Sequence, residues 1–543
     1  MGQRWRNGLS HSKVWVKRVA LGAIAIGLVL RFAHLDRKVY WHDEVFTSLR
    51  VAGYVGSRVQ AEVSDQSRFT AADLLRYQQL PSAPSLADTW ATLSDHPEHP
   101  PLYYLLAHGW ARRFGASVAG YRAIAAGFGA IAMLAVFWLG RQLFPLSPTT
   151  AWIATALLAV SPVQLIYSQE AREYSLWVVG LLLAHGALVR SLQRDTAWAW
   201  VLYGLALELA WYGSLMTALL GLSHLVFMAL SQRQLKTWLA FACAHGLAMG
   251  LFAPWLGVMA HGWGRVQTVT AWANEAMPLA FLAQFWGLHY SSTLVDFNAP
   301  LSHPFTVVGP ALAIALLVVS LRHLIHKHPR QVALFIGCGL LVPPLVLMGG
   351  DVIRGSQFSG ATRYFFPSLV LVPLAIAPLI DDNLAHSQRP QRLIGATLLA
   401  LLLALGLTSG VAYSRAPAWW NKSFSSSNYI LAAHFNQLPA PVILLEPGNN
   451  TLGEAISLSH YLTPNTEFWL LPENQLPPAA TLKAVVQTQP QTALFVVNPT
   501  EELLDTLPAG WQVEVDQTVP AYLVRLQPAR SLSPPQTRYL LRG

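Results

Sequence analysis

Apolar residues fall in long runs, and each run is closed by charge, Pro or Gly. A helix crosses a bilayer with roughly 20 mostly apolar residues, and the chain offers about eleven such runs. They start near Val16, Val118, Thr150, Tyr174, Ala197, Gly213, Thr237, Pro304, Gln331, Tyr364 and Leu393. The pattern predicts an all-α polytopic membrane domain over residues 1–412, with a long first outer loop at 36–117. Beyond about Tyr413 the runs shorten to Pro441–Leu445, Ala493–Val497 and Tyr522–Leu526, bounded by Pro, Gly and Asn as strands are. A helical stretch, Ser427–Gln437, lies among them, so residues 413–543 are expected to form a small α/β domain.

Composition strengthens the membrane assignment. The 543 residues are 53% hydrophobic and 12% charged, where a soluble chain is about one quarter charged. The net charge of +9 does not gather in one patch. Arg4, Arg6, Lys13, Lys17 and Arg18 precede the first run. Arg141, Arg190 with Arg194, Arg233 with Lys236, Arg322 with Lys327 and Arg330, and Arg389 with Arg392 fall in every second connection thereafter. Lys and Arg concentrate in short cytoplasmic loops, so the basic balance reports topology and no nucleic acid partner is expected. The N-terminus is expected in the cytoplasm and the C-terminal domain outside the cytoplasmic (inner) membrane, in the periplasm. A signal peptide competes for residues 13–35. No small-x-small cleavage site follows them, which favours an uncleaved anchor. Cys243 and Cys338 both lie in apolar runs, excluding a disulfide framework or a Cys-based metal site. No Gly-rich phosphate fingerprint follows the short strands, so nucleotide binding is not expected there. The string Gly246–Gly250 suggests a close helix contact.

This topology puts three polar stretches on the outer side: the first loop, Ser168–Glu173, and Gly349–Arg363. The first carries Asp43-Glu44. A carboxylate there can take a proton from an acceptor hydroxyl while its neighbour orients the acceptor, which suits group transfer; the alternative is a solvated loop charge. Glu170 and Glu173 flank Arg172, where carboxylates also favour a helix start. His96, Glu98 and His99 could ligate a divalent metal together with Asp43 or Glu44, although their spacing follows no established site pattern. No cofactor is required by the motifs. His34, His108, His185, His224, His245 and His289 lack consistent spacing and are expected at the interface or hydrogen-bonded in the bundle. The segment Trp272 to Asp296 is a candidate interfacial helix.

Four motifs in order, Asp43-Glu44, His99-Pro100-Pro101-Leu102-Tyr103-Tyr104, Ser168-Gln169-Glu170-Ala171-Arg172-Glu173-Tyr174-Ser175 and Arg363-Tyr364-Phe365-Phe366-Pro367, resemble those of bacterial membrane glycosyltransferases of the GT-C fold. These are relatives of protein O-mannosyltransferases and of the lipid A aminoarabinose transferase. The resemblance covers about residues 14–415. It implies an inverting transfer of a sugar from a polyprenyl-phosphate carrier to a lipid, glycan or protein acceptor at the outer face. Asp43 is then the base and Glu44 its support. Arg172 and Arg363 are the candidate cations for the leaving phosphate, since a guanidinium makes bidentate phosphate contacts; each could instead snorkel to lipid headgroups. His99 stands where the lipid A enzymes use Lys, and a neutral imidazole would stabilise phosphate less. Glu170, Glu98 and Tyr364 take supporting places. An outer-leaflet glycan polymerase or ligase is the chemically close alternative. A secondary transporter would need polar or broken helices at the bilayer midplane, which the Leu-, Ala- and Val-rich middle runs do not suggest.

Overall fold

The structure is a computed structural model that describes residues 2–66, 68–446, 451–471, 482, 493–507, 510–517, 519 and 521–528. The chain divides into two compact units. The first comprises Met1–Lys38, Arg50–Gly53 and Leu80–Asn421; the second comprises Val39–Leu49, Tyr54–Gln79 and Lys422–Gly543.

The first unit is helical, and a helix stands at each of the eleven expected positions. Among the described residues six helices are long and apolar enough to cross a membrane, or up to eight if each of two bent pairs is one span. Ala197–Trp211 and Thr217–Ser231 are apolar but shorter, and Gly2–Phe32 forms the N-terminal helix. The protein is a multi-pass membrane protein, with eleven spans an expectation that exceeds this count. Leu134, Leu312, Ile325 and Leu345 on these helices are each more than 60% exposed, as lipid-facing side chains are. One bent pair, Pro148–Val160 and Pro162–Ser168, turns by 58°. Pro162 has no N–H to continue the ladder, and the guanidinium of Arg31, fully buried, donates to the carbonyls of Ala159 at 2.6 Å and Leu158 at 3.2 Å. A backbone break inside a bilayer stands only where protein groups satisfy the freed carbonyls.

Gly246 and Gly250 do not make the expected close contact: a Cβ on either would meet nothing within 4 Å. Of the scattered histidines, His108, His185, His224 and His289 are buried and hydrogen-bonded, to Thr89, His224, Tyr203 and Thr362 respectively. The segment from Trp272 holds a helix at Leu279–Ser291.

The second unit is built on a six-stranded sheet: β1 Arg68–Thr70, β2 Val442–Leu445, β3 Glu467–Leu470, β4 Leu494–Val497, β5 Trp511–Val515 and β6 Leu523–Pro528, in the order β1-β3-β2-β4-β6-β5. The central β2 runs parallel to β3 and β4, with Ile443 opposite Phe468 and Phe495. Its residues Val442, Ile443 and Leu444 are buried on both faces, as parallel strands are when helices cover the sheet. The outer pairings, β1 with β3, β4 with β6 and β6 with β5, are antiparallel. The three strands expected from the sequence are present. Beside the strands beyond residue 413, the second unit also takes in β1 from the first loop. Phe69 stacks on Phe468 with ring centroids 5.7 Å apart, and Arg68 donates to both carboxylate oxygens of Glu467. A three-residue strand has no alternating pattern long enough to be seen beforehand.

Candidate active site

In the second unit, Asp43 and Glu44 occupy the first turn of the helix His42–Ala52, where a carboxylate is favoured by the helix dipole. The segment before it is tied down through its backbone. Tyr40 N–H donates to the Tyr461 hydroxyl oxygen at 2.6 Å, Ser457 Oγ donates to the Tyr40 carbonyl at 2.7 Å, and His42 N–H donates to Ser425 Oγ at 3.0 Å. Ser425 in turn donates to Glu454 at 2.7 Å. Gly453 faces the His42 ring so closely that any side chain there would collide with it.

The two neighbouring carboxylates separate sharply in environment. Asp43 is half-buried, whereas Glu44 is completely buried and accepts from Lys422 Nζ at 2.8 Å, with Lys422 equally buried and its ammonium 5.4 Å from the centre of the Trp41 ring. Glu44, expected beside the base in the chemistry, therefore has no surface with which to touch an acceptor. Its pair with Lys422 ties the first turn of the helix that carries Asp43 to the turn Trp420–Ser425. Lys422 was not foreseen, being a lone cation beyond the last apolar run.

In the first unit, the turn Ser168–Glu173 is buried throughout. Gln169 Nε2 donates to the carbonyls of Leu30 and Ala33 at 2.7 and 2.8 Å, closing the end of the N-terminal helix, and Lys38 donates to Gln169 Oε1 at 3.3 Å. Arg172 is 4% exposed; its Nε lies 3.3 Å from Glu173 Oε2 and its Nη2 donates to Oε1 at 3.4 Å. The same carboxylate receives the Tyr104 hydroxyl at 3.0 Å and meets His99 Nδ1 at 3.2 Å. Glu173 is thus the centre of this network, although the sequence suggested Glu170 for the supporting place. Glu170, also buried, accepts from Asn421 Nδ2 at 2.7 Å.

Charge states follow from these contacts. Burial pushes the Glu173 carboxyl up, but the Arg172 charge and the His99 hydrogen bond outweigh it and hold the group well below the usual carboxylate range. Burial, followed by the charges of Arg50 and Arg172, pushes His99 down against the pull of Glu173. His99 is accordingly neutral near pH 7, a hydrogen-bonding group and not a cation. Glu98 lies 3.4 Å from His96 Nδ1 and 3.6 Å from His99 Nε2; burial raises it, while His96, His99 and Arg50 hold it low. Burial raises the Tyr104 hydroxyl, which stays a donor.

Arg363 is half-buried in the short helical turn Thr362–Phe365, its guanidinium carbon 5.9 Å from the centre of the Trp272 ring and 5.2 Å from that of Tyr364. The loop before it is ordered by Asp351, which accepts from Ser356 at 2.5 Å, from Phe358 N–H at 3.1 Å and from Ser359 N–H at 2.5 Å. Tyr364 stacks on Phe358 at 4.6 Å. Arg172 is thus held against a carboxylate and Arg363 lies against two aromatic rings.

Residues 98–257 match the model of the dolichyl-phosphate-mannose-protein mannosyltransferase family. The match spans Glu98, His99, Glu170 and Arg172 and bears out the resemblance read from the motifs. No curated protein matches the chain. Among solved structures, the chain is similar to ArnT from Cupriavidus metallidurans bound to undecaprenyl phosphate, at 14% identity over 94% of this chain and 97% of that one, TM-score 0.49. It is also similar to the oligosaccharyltransferase AglB from Archaeoglobus fulgidus in complex with an inhibitory peptide and a dolichol-phosphate, at 11% identity over 89% and 69%, TM-score 0.49. A third similarity is to the arabinofuranosyltransferase AftD from Mycobacteria, at 14% identity over 94% and 41%, TM-score 0.43.

Proposed function

We propose that the protein is an inverting glycosyltransferase that moves a sugar from a polyprenyl-phosphate carrier to an acceptor hydroxyl at the outer face of the cytoplasmic membrane. The observation that carries this reading is the network that Glu173 makes with Arg172, His99 and Tyr104, all of which lie with Glu173 inside the stretch that matches the mannosyltransferase family. In the reaction, Asp43 takes the proton from the acceptor O–H. The acceptor oxygen attacks the anomeric carbon from the face opposite the phosphate. The bond from that carbon to the phosphate oxygen breaks, and polyprenyl phosphate leaves. Arg172 and Arg363 stabilise the charge that develops on the phosphate, and neutral His99 adds a hydrogen bond. Since the donor is a lipid, no nucleotide site is needed. The basic connections described above support a cytoplasmic N-terminus, and no divalent metal is required in this scheme.

The test uses the full chain in nanodiscs with polyprenyl-phosphate sugars, nucleotide sugars and a membrane extract as acceptor source. Free polyprenyl phosphate should accumulate with the lipid donors and no sugar should be lost from the nucleotide donors. Use of a nucleotide sugar, or no consumption of any lipid donor, overturns the reading.

A further inference from the structure

A second cluster of ligating side chains stands apart from these residues. His323 lies in the last turns of the helix Phe305–Lys327, His328 caps that helix, and Asp382 lies near the end of Val372–Ala385. His323 Nε2 is 2.7 Å and His328 Nε2 3.0 Å from one and the same oxygen, Asp382 Oδ2. One donor atom from each of the three residues lies within 4.8 Å of the others, and among the described residues this is the group of His, Cys, Asp and Glu that meets that condition. Asp382 is at most about 28 Å from Arg363 along the helical stretch, at 1.5 Å per residue, and that stretch bends by 41°.

We propose that His323, His328 and Asp382 form a binding site for a borderline divalent transition-metal cation of the Zn2+ type. The local structure explains the convergence. Residues five apart on one helix would diverge, but His328 has left the helix with extended backbone (φ −119°, ψ 163°) ahead of Pro329, which returns its ring toward His323. The Phe144 ring meets His328 edge-on at 5.5 Å and limits its rotation. The adjacent Asp381 accepts from Thr150 at 2.5 Å and from Ser147. That anchors the end of its helix to another and leaves Asp382 to the histidines.

Tetrahedral zinc holds nitrogen and oxygen ligands at about 2.0–2.1 Å, which separates two ligand atoms by about 3.3 Å. The observed 2.7 and 3.0 Å are a few tenths shorter, so small side-chain rotations would admit an ion in place of the imidazole protons. The histidine side chains are 16% exposed and Asp382 41%, which leaves an approach on the carboxylate side and room for water as a fourth ligand. Two imidazoles and one carboxylate select zinc, cobalt, nickel or copper over magnesium and calcium, which prefer all-oxygen sites. Flanking Arg322, Lys327 and Arg330 make attraction by charge alone a poor basis for binding, so coordination has to carry the affinity. Bound metal would join the ends of two helices.

The experiment takes the full chain, purified without a histidine tag, stripped with chelator and titrated with Zn2+, Co2+ or Mg2+. Uptake is read by equilibrium dialysis and by the visible absorption of tetrahedral Co2+. Wild type should bind one equivalent of Zn2+ or Co2+ more than Asp382→Asn or His328→Gln, with affinity at this site about tenfold or more below wild type in either variant, and Mg2+ should not compete. Two variants, both checked by elution profile, guard against a folding defect in one of them. Equal uptake by wild type and a folded variant, no Co2+ spectrum in wild type, or equal competition by Mg2+ overturns the site.

Discussion

Two buried clusters treat charge in different ways. In the second unit, Glu44 and Lys422 form a fully buried ion pair. In the first, the Glu173 carboxylate collects a guanidinium, a phenol and an imidazole. A fully buried pair has no reactive surface and acts through what it holds, here the helix start that bears half-buried Asp43. A carboxylate with several donors instead fixes the position of an arginine, a phenol and an imidazole together. The difference shows how adjacent residues in a motif, Asp43 and Glu44, can divide chemistry from support.

The widest separation of the two roles should come from Asp43→Asn. Asn keeps the size of the side chain but cannot accept the acceptor's proton as a carboxylate does. Turnover should fall by roughly 10²- to 10⁴-fold while donor binding and the thermal midpoint stay near wild type. Glu44 is too buried to replace it. Unchanged turnover would remove Asp43 from the mechanism.

Lys422→Met should behave in the opposite way, lowering stability by roughly 3–5 kcal/mol because it removes the cation paired with a buried carboxylate. Combining it with Glu44→Gln should recover much of that loss. Denaturation of the single and double variants in detergent decides the point. A neutral effect of the single change would mean that Glu44 is not ionised in the fold.

Arg172→Ala and Arg363→Ala should each cost about 2–4 kcal/mol of transition-state stabilisation, or roughly thirty-fold to a thousand-fold in rate. Lysine at either position should restore only part of it, having no planar fork. Activity within twofold of wild type for either alanine variant would make that residue an interfacial anchor.

The smallest effect concerns His99. The fold holds its imidazole neutral, so the unfolded chain binds more protons around its ordinary value of about 6.5. The stability this confers is complete above that value and is lost as pH falls below it. Between about pH 7.5 and 5.5 the thermal midpoint of wild type should fall further than that of His99→Gln. Parallel slopes would mean that His99 titrates normally.

The helix positions and the candidate residue types were legible because membrane insertion reads a local quantity, the apolar content of about 20 consecutive residues. Val118, Tyr174 and Leu235 open helices within a few residues of where the runs predict them, and the central strands show as short apolar blocks. Partnerships between distant residues have no such signature. Glu44 and Lys422 are 378 residues apart, and neither belongs to a periodic pattern that would announce the other. Glu173 looked like helix-end charge until Tyr104 and His99 were brought to it. Arg68–Thr70 is too short to read as a strand before Glu467–Leu470 pairs with it. By itself the sequence determined a multi-pass helical protein with a small α/β part and a set of acidic and basic residues suited to group transfer. Only the tertiary structure decided which of those charges are buried, which are paired and which remain accessible, because desolvation and ion pairing depend on distances that chain order does not set.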